Sequence, residues 1–255
     1  MQNLMDSRTL AYINMFGVLG TLENLCEIVP EATEIIKDQK PISIGFEVKG
    51  GPSATLFFKN GKCRMEQGCG ACDVKLPFSS PEKFNGLIDG TVTPIPSKGF
   101  THINFLLKKF TPLTDVLGKY MRATEEDLKD PVFFERSTRL MLYTIGVAIA
   151  QIGNNDEIGK FSASNIIDGS IYMGIKNDIG VELVCKDNRL VTIKQTPEKY
   201  RAAMIFDSIE TARALFDGKI NALTCIGTGK IEMHGMVNML DNVNRILDRV
   251  ALYLA

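Results

Sequence analysis

The sequence predicts a mixed α+β protein built as two tandem, related halves. Helical apolar spacing gives way to period-two alternation, and that order of patterns occurs twice. Landmarks of the two passes keep a nearly constant offset. Leu-Ile-Asp-Gly ending at Gly90 and Leu-Phe-Asp-Gly ending at Gly218 lie 128 residues apart, Phe58-Lys59-Asn60 and Cys185-Lys186-Asp187 lie 127 apart, and Gly17-Val18 and Gly146-Val147 lie 129 apart. Chance similarity of two α/β segments is the competing explanation, because identities between the landmarks are sparse.

The elements follow in order. Asp6 or Ser7 caps a helix whose apolar positions, Leu10, Ile13, Phe16, Leu19, Leu22, Cys26 and Val29, recur at three and four. Pro30 to Pro41 is charged, with room for a helical turn around Ile35 and Ile36. Alternation then marks strands at Ile42 to Phe46 and Ala54 to Phe58, and Asn60-Gly61 is a hairpin turn. Val74 to Phe78 is another strand, and Ser79 or Ser80 with Pro81 opens a helix that stops at Gly90. Beyond it, Pro94, Pro96 and Pro112 argue against a regular strand and against one unbroken helix.

The second pass starts at Thr124 with Asp127 and at Asp130 before Pro131, so the halves are expected as 1–124 and 125–255. A helix through Leu140, Ile145 and Ile149 precedes strands at Ile171–Ile175, Val181–Lys186, Leu190–Lys194 and Ala202–Phe206. Ser208 caps the next helix, and Gly218 closes it. The chain ends in an amphipathic helix with Met236, Met239, Leu240, Val243, Ile246, Leu247 and Val250 on one face. Asn238, Asp241, Asn242, Arg245, Asp248 and Arg249 are expected opposite.

Bulk composition narrows the function classes. Hydrophobic residues make up 45%, enough for a packed core. The formal net charge is -1, from 29 basic and 30 acidic residues, so no global field favours nucleic acid. The charge-free runs between Arg8 and Glu23 and between Arg139 and Asp156 contain polar residues and fall short of the roughly 20 apolar residues of a spanning helix. No stable membrane insertion is expected. Asp6 precedes any base, which suits a secretory signal poorly. With six cysteines in so long a chain, reduced thiols and a cytoplasmic setting are the simplest expectation.

The second half carries a family resemblance. Phe206-Asp207-Ser208 leads into a short helix, and Phe216-Asp217-Gly218-Lys219-Ile220-Asn221 follows. Gly229-Lys230-Ile231-Glu232-Met233-His234-Gly235 then precedes an apolar terminal helix. This order resembles the sterol carrier protein type 2 family over roughly the last fifty residues. Met236 stands where that family usually has an acid. The first half is similar mainly through the repeat, and its Ser97-Lys98-Gly99-Phe100 does not keep the glycine-lysine strand. The resemblance implies a largely antiparallel five-stranded sheet with helices over one face. It also implies an apolar tunnel that binds a fatty acid, acyl-CoA, phospholipid or sterol without chemistry.

Some catalytic and metal motifs compete with this reading. Cys69-Gly70-Ala71-Cys72 is followed by the strand-like Asp73-Val74-Lys75-Leu76-Pro77, whereas a redox Cys-x-x-Cys opens a helix. A zinc site would need Cys63 and the distant His102 as further ligands. Solvent-facing or half-buried thiols are the simpler reading. Gly227-Thr228-Gly229-Lys230 fails as a phosphate loop, since Thr224 and Ile231 stand where a glycine and a Ser/Thr are required. His234 is read as a solvated turn residue.

The expectation is therefore a non-enzymatic carrier with no cofactor and no metal, its apolar site in the second half. The candidate wall residues are Phe206, Leu215, Phe216, Ile226, Ile231, Met233, Met236, Met239, Leu240 and Val243. Met204, Met233, Met236 and Met239 are unbranched and polarizable, which suits irregular guests; ordinary core packing is the competing explanation. The expected partner is a lipid-like small molecule. The alternative is a scaffold of the same fold, without ligand, whose apolar faces are used up in pairing or in a homodimer.

Overall fold

The computed structural model describes residues 5–254, and the chain divides into two compact units, one through Arg136 and one from Ser137. The fold is mixed α+β, with one sheet in each unit.

In the first unit, Asp6 accepts from the Arg8 and Thr9 amides and starts α1 (Ser7–Tyr12). Helical backbone continues without a break through a π-helical stretch at Ile13–Val18 and a 3-10 turn at Leu19–Thr21 into α2 (Leu22–Ile28). The single expected helix is thus one run whose hydrogen-bond pattern changes. Within it Thr21 Oγ1 donates to the Gly17 carbonyl at 2.7 Å, a side-chain bond of the kind that competes with the helical ladder. After α3 (Pro30–Ile36) come β1 (Ile42–Val48), β2 (Ser53–Lys59), β3 (Lys62–Gln67) and β4 (Val74–Phe78), in spatial order β3-β2-β1-β4. The β1–β4 pair is parallel and the others antiparallel. Asn60 (φ 48°) and Gly61 (φ 78°) make the β2–β3 hairpin, both in the left-handed region that such turns demand.

Next, α4 (Pro81–Ile88) ends at Gly90 (φ 71°). The following link forms no strand beyond a single bridge, Lys75 to Lys98. A 3-10 turn at Phe100–His102 then runs into α5 (Ile103–Phe105), a π-helical stretch at Leu106–Phe110, and α6 (Thr111–Met121). Pro112 does not end this helical run as expected. It sits in the first turn of α6, after the wider π-helical stretch, where a missing amide costs least.

The second unit takes its first residues from α7 (Pro131–Asn155), which starts at Asp130 accepting from Val132 and Phe133. Next comes α8 (Glu157–Ser164), a helix the sequence reading did not anticipate, capped by Asp156. The sheet is β5 (Gly169–Ile175), β6 (Gly180–Lys186), β7 (Arg189–Ile193), β8 (Ala202–Phe206) and, after α9 (Ile209–Phe216) and α10 (Ala222–Gly227), β9 (Ile231–Gly235). Its order is β7-β6-β5-β8-β9, with β5–β8 parallel and its other pairs antiparallel. The chain closes with α11 (Val237–Tyr253). Among the described residues no helix is long and apolar enough to cross a membrane.

Strand register makes the units comparable position by position. Val48 of β1 faces Phe78 of β4, and Ile175 of β5 faces Phe206 of β8. On that register Phe46 corresponds to Met173, Phe58 to Cys185 and Phe78 to Phe206, and across the matching capped helices Phe84 corresponds to Ala212. In the first unit these phenylalanines pack ring against ring. Phe46–Phe84 and Phe78–Phe84 lie 6.4 and 5.2 Å apart, and Phe58 meets Phe105 and Phe110 at 5.5 and 6.0 Å. The second unit has one aromatic and three smaller or softer side chains at the same places, all buried.

Candidate functional site

The expected wall residues fall on β8, β9, α9, α10 and α11. Met204 and Phe206 of β8 lie opposite Met233 and Ile231 of β9, and because alternate strand residues share a face, all four lie on one face of the sheet. Phe206 is fully buried, and its ring meets the half-buried Phe216 of α9 at 5.6 Å in a T-shaped contact. Ser208 Oγ accepts from the Thr211 amide and starts α9, while Gly218 (φ 68°) ends it. Asn221 then accepts from the Leu223 and Thr224 amides and starts α10, which packs beside β9.

The sequence gives no expectation of a helix between Asn221 and Gly229, where α10 lies. The cap at Asn221 was its available signal. Gly229 (φ 75°) turns the chain into β9, and Gly235 (φ 83°) turns it out. A β-carbon at Gly235 would overlap the Arg201 carbonyl oxygen, so only glycine fits there.

Along α11, Met239, Leu240 and Val243 are buried, and the helix packs along β8. Leu215, Phe216, Ile226 and Met233 are partly exposed. Met236 departs from its expected place on the buried stripe and is 42% exposed. It precedes the helix, with its amide on the Arg201 carbonyl and its own carbonyl accepting from Met239 and Leu240, so the helical spacing does not reach it. Leu223 of α10 (76% exposed) and Val237 of α11 (75%) are also bare apolar side chains.

Two residues expected on the polar face of α11, Asn242 and Arg249, are buried. Asn242 donates back to the Asn238 carbonyl at 2.9 Å. Arg249 Nη2 donates to Asp156 Oδ2 at 2.7 Å, where the Tyr253 hydroxyl also donates at 2.8 Å, while Asp156 Oδ1 accepts from the Gly159 amide. Burial alone would raise the Asp156 carboxyl. The bonds from Arg249, Gly159 and Tyr253 outweigh it and hold the group below its ordinary 3.8. The network ties the start of α8 to α11.

His234 is exposed within β9, rather than in a turn, 3.2 Å from Glu232. Among the described residues, no three of His, Cys, Asp or Glu gather in a metal-binding geometry. Cys69 is half-buried and Cys72 buried, and both sulfurs lie against Gly45 of β1.

No family model matches the chain, and no curated protein does. Among solved structures the chain is similar to sterol carrier protein 2 domains over about 45% of its length. One is a UbiJ-SCP2 ubiquinone synthesis protein, at 15% identity and a TM-score of 0.35, covering 45% of this chain and 93% of that one. A second is sterol carrier protein domain 2 of Helicoverpa armigera, at 16% and 0.36, covering 43% and 87%. A third is sterol carrier protein 2 from Yarrowia lipolytica in its apo form, at 22% and 0.33, covering 42% and 90%.

Proposed function

We propose that the chain is a non-enzymatic binding or carrier protein of two repeated units, whose second unit holds a lipid-like apolar ligand. The observation that carries this is the substitution of the core at matched register. Where the first unit places Phe46, Phe58 and Phe84, the second places Met173, Cys185 and Ala212. Less side-chain volume behind the same sheet leaves room for a guest, and methionine adapts to an irregular one.

The surface adds a way in. The apolar residues left partly bare on α10, β9 and the start of α11 form the kind of patch that marks a binding surface. Phe206, Leu215, Phe216, Ile226, Ile231, Met233, Met236, Met239, Leu240 and Val243 remain its wall. Binding would draw on apolar burial, worth about 25 cal/mol per Å². A fatty acid fits this reading as well as a sterol does.

Native mass spectrometry of freshly purified protein, followed by titration with a fluorescent fatty acid, tests it. The expected result is an added lipid mass and saturable probe binding. Binding should weaken at least tenfold in Met233→Gln, a partly exposed position whose change leaves the melting temperature nearly unmoved. Apoprotein that binds neither fatty-acid nor sterol probes would sink the reading.

A further inference from the structure

We propose that Cys69 and Cys72 form a reversible dithiol–disulfide site on the outer face of the first unit's sheet. Ile44 and Phe46 of β1 point into the core, so Gly45 between them faces the other way. The link from β3 to β4 crosses that face as a strap tied at both ends. At one end the Gly68 amide donates to the Ser53 carbonyl at 2.8 Å and Thr55 Oγ1 donates to the Gly68 carbonyl at 2.9 Å. At the other, Lys98 Nζ donates to the Cys72 carbonyl at 2.5 Å, and Asp73 Oδ2 accepts from the Ser43 amide and hydroxyl, both at 2.7 Å.

Between these ties the two sulfurs converge. A β-carbon at Gly45 would lie 2.6 Å from Cys69 Sγ and 2.7 Å from Cys72 Sγ, so glycine is what admits the pair. Both sulfurs therefore crowd the same missing side chain. Closing the remaining gap to a disulfide falls to Cys69, because Gly68 (φ 95°) and Gly70, with open space around it, flank it while Cys72 is pinned. At matched register the second unit covers this face differently: Tyr172 stands where Gly45 does, stacked on Tyr200 at 5.9 Å. Packing the face therefore does not require thiols. Nor does stability, since a bond between residues three apart closes too short a loop to restrict the unfolded chain much.

The oxidant is a low-molecular-weight disulfide. The half-buried Cys69 thiolate attacks one of its sulfurs and expels one thiol, leaving a mixed disulfide. Cys72, deprotonated in turn, attacks Cys69 Sγ and expels the second thiol. Two electrons and two protons pass from the protein dithiol to the small disulfide. Burial, then the neighbouring Cys72 charge, push the Cys69 thiol up, so oxidation should quicken as the pH rises above neutral.

The test incubates the intact chain in mixtures of reduced and oxidised glutathione, quenches with a maleimide, and maps peptides by mass spectrometry. Wild type should yield a peptide with Cys69 linked to Cys72 in oxidising mixtures and regain both thiols in reducing ones. Cys72→Ser should stall with glutathione on Cys69, and Cys69→Ser should carry neither product. If wild type, folded by circular dichroism, keeps both thiols free in the most oxidising mixture, the proposal fails. It fails equally if Cys72→Ser acquires no adduct at Cys69.

Discussion

The two units share a sheet register and differ in what fills and finishes it. In the first, Gly90 and Gly99 are separated by a link containing Pro94 and Pro96. In the second, the stretch from Gly218 to Gly235 is eight residues longer and holds α10 and most of β9. Gly99 and Gly235 nevertheless do the same work. Each has positive φ, each precedes the unit's last long helical run, and each abuts the carbonyl of the residue before the parallel strand, Asp73 or Arg201. The Lys75–Lys98 bridge lies where β8 and β9 form a full ladder. The shorter link goes with a four-stranded sheet and the longer one with a five-stranded sheet.

The largest difference is polar. Asp156, Arg249 and Tyr253 join α8 to α11, whereas α3, the short helix ahead of the first sheet, starts at Val29 with no side-chain cap. Removing one partner of a buried pair strands the other, so Asp156→Ala should cost about 3–5 kcal/mol. Hydrogen exchange should show the loss confined to residues from Ser137 onward, with the first unit still protected. The pH dependence has a definite sign. A carboxyl held below 3.8 when folded stabilises fully above that value and loses its contribution as the pH falls through it toward the folded-state value. Acid should therefore open the wild-type second unit over that window, and Asp156→Ala should remove that step. Equal loss of protection in both units would break the comparison.

The glycine correspondence has its own test. Gly99→Ala and Gly235→Ala each force a left-handed alanine against a backbone carbonyl, at a cost of about 2–3 kcal/mol. Denaturant melts of the two variants should give similar losses. A Gly99→Ala variant as stable as wild type would show that the two turns are not the same position.

Much of this was legible in the residues. Caps and left-handed turns are local chemistry, so the helix start at Asp6 or Ser7, Ser208, Asn60-Gly61 and Gly218 were legible from sequence alone. What escaped depends on distant partners. Arg249 reads as a solvated helix residue until Asp156, far away in sequence, is found beside it. β3 carries no apolar run because it is an edge strand, with Lys62, Arg64, Glu66 and Gln67 on it, and only the Asn-Gly turn betrayed it. Pro112 misled because a helix can widen ahead of a proline. The wall residues were named from a motif, which fixes strand and turn positions but not how much volume lies behind them. The smaller side chain at Ala212 stands out only when register sets it against Phe84.

Ala212 is therefore where the comparison is sharpest. It is fully buried on α9, and its counterpart Phe84 fills the first unit's core. Ala212→Leu adds three carbons toward the proposed site. If the second unit has room for a guest, the larger side chain takes that room. Stability should then change by less than about 1 kcal/mol, while fatty-acid probe binding falls at least tenfold. If the unit is packed solid, the same change overpacks it and costs about 1–3 kcal/mol, with no probe binding to lose. Melting and titration on one variant separate the two, and the second outcome would leave the units differing in composition but not in purpose.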